Sequence, residues 1–361
     1  VSGAAPFLTV ITRTQGRRPH TLAETLASLA AQTDQDFEVL LLAHRVEPTA
    51  LPALAAMLRT LPPGRPARLI TVDHGTRTAP LNVGLEEAAG AYIAVLDDDD
   101  LALPNWVALF RRLSESAPGK MLRAGNLRQN CREVWQNGVP RVQPVGAPVA
   151  MFPDRFDFFA HLSANHTAPV MLAFPRARLR ALGLRFDDSL TTTEDWDFIM
   201  RCAGPLGCAD SPEISSIYRY WESGESSRTV HTEAEWRANF AALTAKWDSA
   251  PFILPAGYFL PLRQMADGLA AATAALAALR AETAAAAALR RDILEILGSR
   301  SWRISAPLRL FRGISLAAVA AAPADQLPGI LAALRASSSW RLTAPLRGRY
   351  AAPAAGGKPG P

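Results

Sequence analysis

Two acidic clusters hold the residues best suited to chemistry. The first is Asp97-Asp98-Asp99-Asp100, directly after the apolar run from Tyr92 to Leu96. That run reads as a buried central strand, so four carboxylates stand where the strand must end. Folding does not ask for them, because adjacent like charges repel and Asp is poor in both strand and helix. A divalent cation would ask for them. Hard oxygen ligands suit Mg²⁺ or Mn²⁺, and Mg²⁺ is commonly held by one or two carboxylates plus substrate phosphates. The plainer alternative is a solvated acidic turn into the helix that starts near Pro104, with Asp100 helping its N-terminus. The second cluster is Glu194-Asp195-Trp196-Asp197, preceded by Thr191-Thr192-Thr193 and followed by Arg201. Thr193 is placed to cap a helix whose first turn carries the acids, with Phe198 and Cys202 toward the core. Taken alone, this cluster is an ordinary acidic helix start.

The elements that must position these clusters follow from periodicity. Strands are expected from Phe7 to Thr12, Phe37 to Leu42, Leu69 to Val72 and Tyr92 to Leu96. Between them lie helices marked by Leu22, Leu26 and Leu29, by Leu51, Leu54, Leu58 and Leu61, and by the segment from Leu81 to Ala89. Strands alternating with helices imply a mostly parallel sheet with right-handed crossovers, and ligands of such sheets bind at the carboxyl ends of the strands. A Gly-x-Gly-x-x-Gly after the first strand and a P-loop are both missing, which weakens dinucleotide-oxidoreductase and NTPase readings. Residues 117–150, punctuated by Gly, Pro, Asn and Gln, suggest hairpins and long loops.

Composition sets the outer bounds. With 361 residues, 49% hydrophobic and 20% charged, the chain is globular and long enough for a substantial core. Net charge is +5, yet the segment from Leu297 to Tyr350 alone carries +7, leaving the rest slightly acidic. The basic character belongs to the tail, so no nucleic-acid partner is expected. Cys131, Cys202 and Cys208 lack metal-ligand spacing, and no signal peptide opens the sequence, which fits a reducing cytoplasm. No run of 18 strongly apolar residues is present, which speaks against a spanning helix.

Taken in order, these pieces resemble the family 2 glycosyltransferases, which have the GT-A fold. The resemblance rests on Leu8-Thr-Val-Ile-Thr12, Ser28-Leu29 and Gln32-Thr33 before Asp36-Phe-Glu-Val39, and Asn82-Val-Gly-Leu-Glu-Glu-Ala-Ala-Gly90. It continues through Leu96-Asp-Asp-Asp-Asp100 with Pro104 to Glu194-Asp195-Trp196-Asp197 and Arg201, covering roughly residues 6–230. It implies an α/β fold: a single GT-A-type nucleotide-binding domain with a mostly parallel central sheet, followed by a helical C-terminal extension. It also implies a nucleotide-diphosphate sugar as donor, Mn²⁺ or Mg²⁺ on Asp97 and Asp99, and Asp98 against ribose or sugar. The metal would stabilise the departing diphosphate. In inverting members a carboxylate of the second cluster deprotonates the acceptor hydroxyl. That role falls on Asp195, with Glu194 as its acceptor-binding or pKa-tuning partner.

The resemblance further assigns Thr12, Arg13 and Thr14 to the nucleotide, and Asp73, Arg77 and Asn82 to the donor side. Many relatives end the second strand with Asp; here it reads Leu42-Ala43-His44-Arg45, and His44 stands in that place. His166, after Asn165, falls on the acceptor side, as does Trp196, for which a core role is equally in keeping with its helical position. His231 is a candidate to complete the metal shell.

Residues 1–250 are thus expected to form the catalytic domain and 251–298 an Ala-rich, coiled-coil-like helix that could self-associate. Its a positions are Leu262, Leu269, Leu276, Thr283, Arg290 and Leu297; its d positions are Met265, Ala272, Leu279, Ala286 and Ile293. Residues 299–350 hold a repeat: the segment from Ser299 through Trp302 and Pro307 to Arg309 recurs 38 residues later from Ser337 through Trp340 and Pro345 to Arg347. Trp, Leu and Arg interleaved with Pro suit a membrane interface, with the indole at headgroup level and Arg on anionic lipid; the same composition could dock a partner protein or nucleic acid. Residues 351–361 are expected to be disordered. The whole suggests a cytoplasmic glycosyltransferase, peripheral on the inner face of the cytoplasmic membrane, acting on a glycan or lipid-linked acceptor. The rivals are a catalytically silent glycan-binding scaffold and a sugar nucleotidyltransferase.

Overall fold

The first apolar runs pair in parallel because each is followed by a helix that carries the chain back across the sheet. The computed structural model describes residues 5–222, 231–305 and 315–346. Strands β1 (Leu8–Thr14), β2 (Phe37–His44), β3 (Ala67–Val72) and β4 (Tyr92–Val95) form the parallel order β3-β2-β1-β4. Every residue of β2 is buried, as expected of a parallel strand covered on both faces. The crossover helices are α1 (Pro19–Ala30), α2 (Leu51–Leu58) and α3 (Ala79–Glu87). Helix α1 opens on Pro19, which suits a first helical turn, and buries Leu22, Leu26 and Leu29.

Beyond β4 the sheet becomes mixed. It continues through β5 (Leu101–Ala102), α4 (Trp106–Ser116), β6 (Met121–Gln136), β7 (Val139–Ala150), β8 (Leu172–Pro175), α5 (Arg176–Ala181), α6 (Glu194–Leu206), β9 (Cys208–Trp221) and α7 (Glu233–Ser249). The order is β4-β8-β6-β9-β5, with β8 antiparallel to both neighbours, β6 parallel to β9, and β7 folded back on β6. The loop-rich stretch thus contains one long hairpin. It turns at Asn137 and Gly138, both at positive φ (51° and 74°), as a two-residue hairpin turn requires. Edge strand β7 carries Pro140, Pro144 and Pro148, which cannot donate to another strand.

The chain divides into two units, Val1–Tyr258 and Phe259–Pro361. Pro251–Tyr258, read from sequence as the start of the helical segment, packs into the first unit, where the Tyr258 hydroxyl accepts from the Phe158 amide at 3.0 Å. The second unit begins with the 40-residue helix α8 (Phe259–Gly298), followed by α9 (Arg300–Ile304), α10 (Leu316–Ala321), α11 (Leu327–Ala336) and α12 (Ser338–Leu342). Its core joins Ile293 and Ile296 of α8 to Val319, Ala322, Leu327, Leu331 and Leu334, with Trp302 and Trp340 packed against it. Among the described residues, helix α8 is the one helix long and apolar enough to cross a membrane by length and composition. That apolarity is mostly Ala, and near its middle Arg280 and Glu282 oppose the insertion tendency of Leu269, Leu276 and Leu279. Pro307 to Arg309 and Arg347 of the repeat, and residues 351–361, lie outside the described residues.

One buried knot fixes where β4, and hence the first acidic cluster, begins. The Thr9 hydroxyl donates to Glu38 at 2.6 Å, Glu38 also accepts from the Ala89 amide at 2.7 Å, and the Gly90 amide donates to the Thr9 hydroxyl at 2.8 Å. A methyl added at Gly90 would meet the Thr9 nitrogen at 2.5 Å. Gly90→Ala should therefore lower unfolding stability by about 1–3 kcal/mol, the usual cost of overpacking. An unchanged urea midpoint would show that the turn has slack.

Candidate active site

Because β1 has β2 on one side and β4 on the other, a crevice opens at their carboxyl ends, where open α/β sheets bind ligands. A cavity of about 500 Å³ lies there, lined by Arg13, Thr14, Arg18, Arg77, Asp97, Asp98 and Asp99 among others. Main-chain register puts Leu96 on β1: its amide donates to the Ile11 carbonyl at 3.0 Å, and the chain then turns through Asp97–Asp100.

Each carboxylate of that turn has its own partner. Asp97 accepts from Arg13 Nε at 3.0 Å, and Asp98 accepts from the Thr14 hydroxyl at 2.6 Å. Asp99 accepts from Arg18 Nη2 and from Trp221 Nε1, both at 2.8 Å. Asp100 is buried and tied to β9 through the Arg219 amide at 2.8 Å, which makes it a bracket for the turn. Burial and then the Asp99 charge push Asp98 up to about 7. Burial also raises Asp99, against the pull of Arg18, and lifts Asp100 well above the ordinary range. Carboxyls crowded this way take up a proton or a cation to relieve their repulsion.

The second cluster meets the first through one arginine. Arg13 Nη1 lies 3.5 Å from Glu194 Oε1, and Arg77 Nε lies 2.8 Å from the same oxygen. The result is an alternating chain Asp97–Arg13–Glu194–Arg77, with Glu194 only 4% exposed. Asp195 beside it accepts from Asn165 Nδ2 at 3.1 Å and from the Trp196 amide at 2.8 Å. Burial, followed by the Glu194 charge, pushes Asp195 up to about 6. Asn165 is itself held: its Oδ1 accepts from the Thr167 amide at 3.1 Å. Thr167 is gripped by the buried Arg123 at 3.0 Å and by His161 at 2.9 Å.

The expected Thr193 cap does not form. Thr193 sits at φ 63°, a left-handed conformation that strains a β-branched residue, and its hydroxyl turns back to the Thr192 carbonyl. The bend aims Glu194 and Asp195 at Arg13 instead of extending the helix backwards.

Other sequence-named residues are distributed unevenly. His44 lines the cavity, bonded through Nε2 to the His74 carbonyl at 3.3 Å, and burial lowers its basicity. His231 lines it too, paired with Glu235 at 2.9 Å. Thr12 is fully buried and is not among the lining residues, and Asp73 is exposed outside the lining. Asn82 points inward, where its amide brackets the Phe186 backbone and donates to Asp188 at 3.1 Å. Trp196 is core: its Nε1 donates to the His161 carbonyl at 2.7 Å and its ring meets Trp247 edge-on. His166 stacks edge-on against His161.

Sequence reasoning passed over Arg18 and Trp221. Arg18 lies shortly after the Thr12-Arg13-Thr14 segment, and the aromatic run Tyr218-Arg-Tyr-Trp221 was the available signal for β9.

Among the described residues, no three or more His, Cys, Asp or Glu side chains are grouped to hold a metal ion unaided. Asp97 and Asp99 do fit the lighter requirement of Mg²⁺ or Mn²⁺, whose remaining ligands come from substrate phosphate and water.

Residues 9–116 match the model of glycosyl transferase family 2. The chain is 28% identical over 229 residues to the succinoglycan biosynthesis protein ExoO of Rhizobium meliloti (strain 1021), covering 59% of this chain and 60% of that protein. Its fold is similar to S. aureus TarS 1-349, solved in complex with UDP-GlcNAc, with TM-score 0.52, 17% identity and 66% of each chain covered. The chain thus spans about three fifths to two thirds of the length of these proteins. The matched segment and the order of the strands agree: residues 9–116 match glycosyl transferase family 2, and the chain has a GT-A-type fold.

Proposed function

We propose that the protein transfers a hexosyl or deoxyhexosyl group from a nucleotide-diphosphate sugar to a hydroxyl of a polysaccharide or lipid-linked glycan, with inversion at the anomeric carbon. The observation that carries this reading is the convergence of both acidic clusters on Arg13 at the carboxyl end of the parallel strands. Arg13, Arg17, Arg18 and Arg77 surround a cavity large enough for a nucleotide sugar and supply positive charge for a diphosphate. Thr14, His44 and Asp98 line the same cavity and are assigned to the nucleoside and sugar. Asp97 and Asp99 would hold Mn²⁺ or Mg²⁺, which when bound supplies Lewis-acid stabilisation of the leaving diphosphate.

Asp195 takes the proton of the acceptor hydroxyl. The acceptor oxygen bonds to the anomeric carbon as the bond from that carbon to the diphosphate oxygen breaks, and the electron pair leaves with the diphosphate. A carboxylate near pKa 6 suits this duty, being ionised at neutral pH yet more basic than an ordinary Asp. Glu194, neutralised by Arg13 and Arg77, sets that basicity through its charge. UDP-GlcNAc, present in the TarS complex, is the first donor to test, and the ExoO likeness favours a bacterial polysaccharide as acceptor. We place the protein in the cytoplasm, peripheral on the membrane, with the exposed Leu262, Leu269, Leu276 and Leu279 of α8 available for self-association.

Four outcomes test the site. Asp99→Ala should abolish the Mn²⁺ dependence of UDP-sugar binding in calorimetry, because it removes a proposed ligand and frees Arg18. Equal metal dependence in the variant would remove Asp99 from the metal site. Donor binding by Asp195→Asn should persist while turnover falls by about 10²–10⁴-fold. The kcat profile of the native protein should lose activity as pH drops through about 6, since only the ionised carboxylate accepts a proton. Asn165→Ala should move that acid limb upward by up to about one pH unit, because the amide stabilises the charged form. A limb that stays in place would assign Asn165 to packing alone.

A further inference from the structure

The two copies of the repeat bury and expose the same positions. At the 38-residue offset, Leu289 matches Leu327, Ile293 matches Leu331 and Ile296 matches Leu334, and all six belong to or pack on the core of the second unit. Each copy then turns on a serine. Ser299 accepts from the Trp302 amide at 3.1 Å, and Ser337 accepts from the Trp340 amide at 3.3 Å. Both indoles pack against that core. The residues that follow do the opposite. Ile304 is 70% exposed and Leu342 is 71% exposed, each preceded by an exposed arginine, Arg303 and Arg341. Helices α9 and α12, which carry these pairs, are neighbours.

A branched aliphatic side chain left in solvent once needs no explanation. The same exposure at the equivalent position of a second copy, beside the same cation, marks a surface built for contact. Arg300 and Arg335 are exposed in the same unit, and Asp325 is the one acid in residues 299–346. Pairing this surface with a second copy would bring arginine against arginine. An anionic bilayer meets both demands, since its phosphates take the guanidinium groups and the region beneath them takes the aliphatic tips.

We infer that Arg303-Ile304 and Arg341-Leu342 are duplicated contacts to anionic phospholipid, while Trp302 and Trp340 hold the unit together. The inference rests on the peripheral membrane association proposed above and names the residues that carry it.

The test is sedimentation of the full chain with vesicles of phosphatidylcholine alone or mixed with phosphatidylglycerol. Native protein should bind the mixed vesicles and leave the neutral ones. Arg303→Gln/Arg341→Gln should partition about thirtyfold more weakly, from about five- to sixfold per arginine. Ile304→Ser/Leu342→Ser should lose about tenfold or more. Circular dichroism and donor hydrolysis, unchanged in both variants, show that folding and the active site are intact. If native protein ignores the mixed vesicles, membrane association itself falls. If it binds and Ile304→Ser/Leu342→Ser binds equally well, the membrane reading stands and this assignment is overturned. A native dimer that the aliphatic variant converts to monomer, without vesicles, would make a second copy the occupant and overturn it as well.

Discussion

The alternating chain Asp97–Arg13–Glu194–Arg77 is the constraint on which the first unit depends. Its members come from the end of β1, the turn after β4, the first turn of α6 and the loop before α3. Arg13 is mostly shielded from water, so a guanidinium there is tolerable only between acids, and Glu194 only between guanidiniums. Removing Arg13 would take the guanidinium from Asp97 and leave Glu194 with Arg77 alone. The chain therefore fixes the spacing between the two acidic clusters, and that spacing decides whether one substrate can touch both. Stability and site geometry are the same interaction here.

The same crowding explains why the carboxyls of the site divide into two kinds. Glu194 is paired with two arginines, whereas Asp195, one residue on, has an amide and a peptide N–H and is pushed upward by burial and then by the Glu194 charge. Two adjacent acids thus meet different surroundings. Thr193, at a strained left-handed φ, is the residue through which the chain enters this helix. Strain at one residue is a small cost against two buried ion pairs.

Much of this was legible in the sequence, for identifiable reasons. The parallel strands announced themselves through short apolar runs, and Asp97–Asp100 through a conflict between residue type and strand end. Partners set by distant pairing were not legible. Trp221 reaches Asp99 across 122 positions because β9 pairs with β6 and β5, a register that periodicity in a loop-rich stretch does not reveal. The family resemblance assigned Asn82 to the donor side. Its amide instead satisfies a loop 104 residues away, a demand invisible until the backbone of Phe186 is placed. The indoles of the repeats misled in the opposite sense: the composition was that of an interface, but each Trp completes a core too small to do without it.

That small core shows how differently the two units handle arginine. In the first unit, Arg13, Arg18, Arg77 and Arg111 are each matched to carboxylates, so the same guanidiniums also hold loops and the cavity in place. In the second unit acids are scarce. Arg335 has Asp292 at 3.5 Å, while Arg290 and Arg303 donate to main-chain carbonyls, which leaves their net charge uncancelled. A surface with unbalanced charge and repeated aliphatic tips gains little from its own fold and projects its field outward within a Debye length. Duplication of a 38-residue segment is the simplest route to such a surface, because it builds the core from paired helices and doubles the outward contact in the same step.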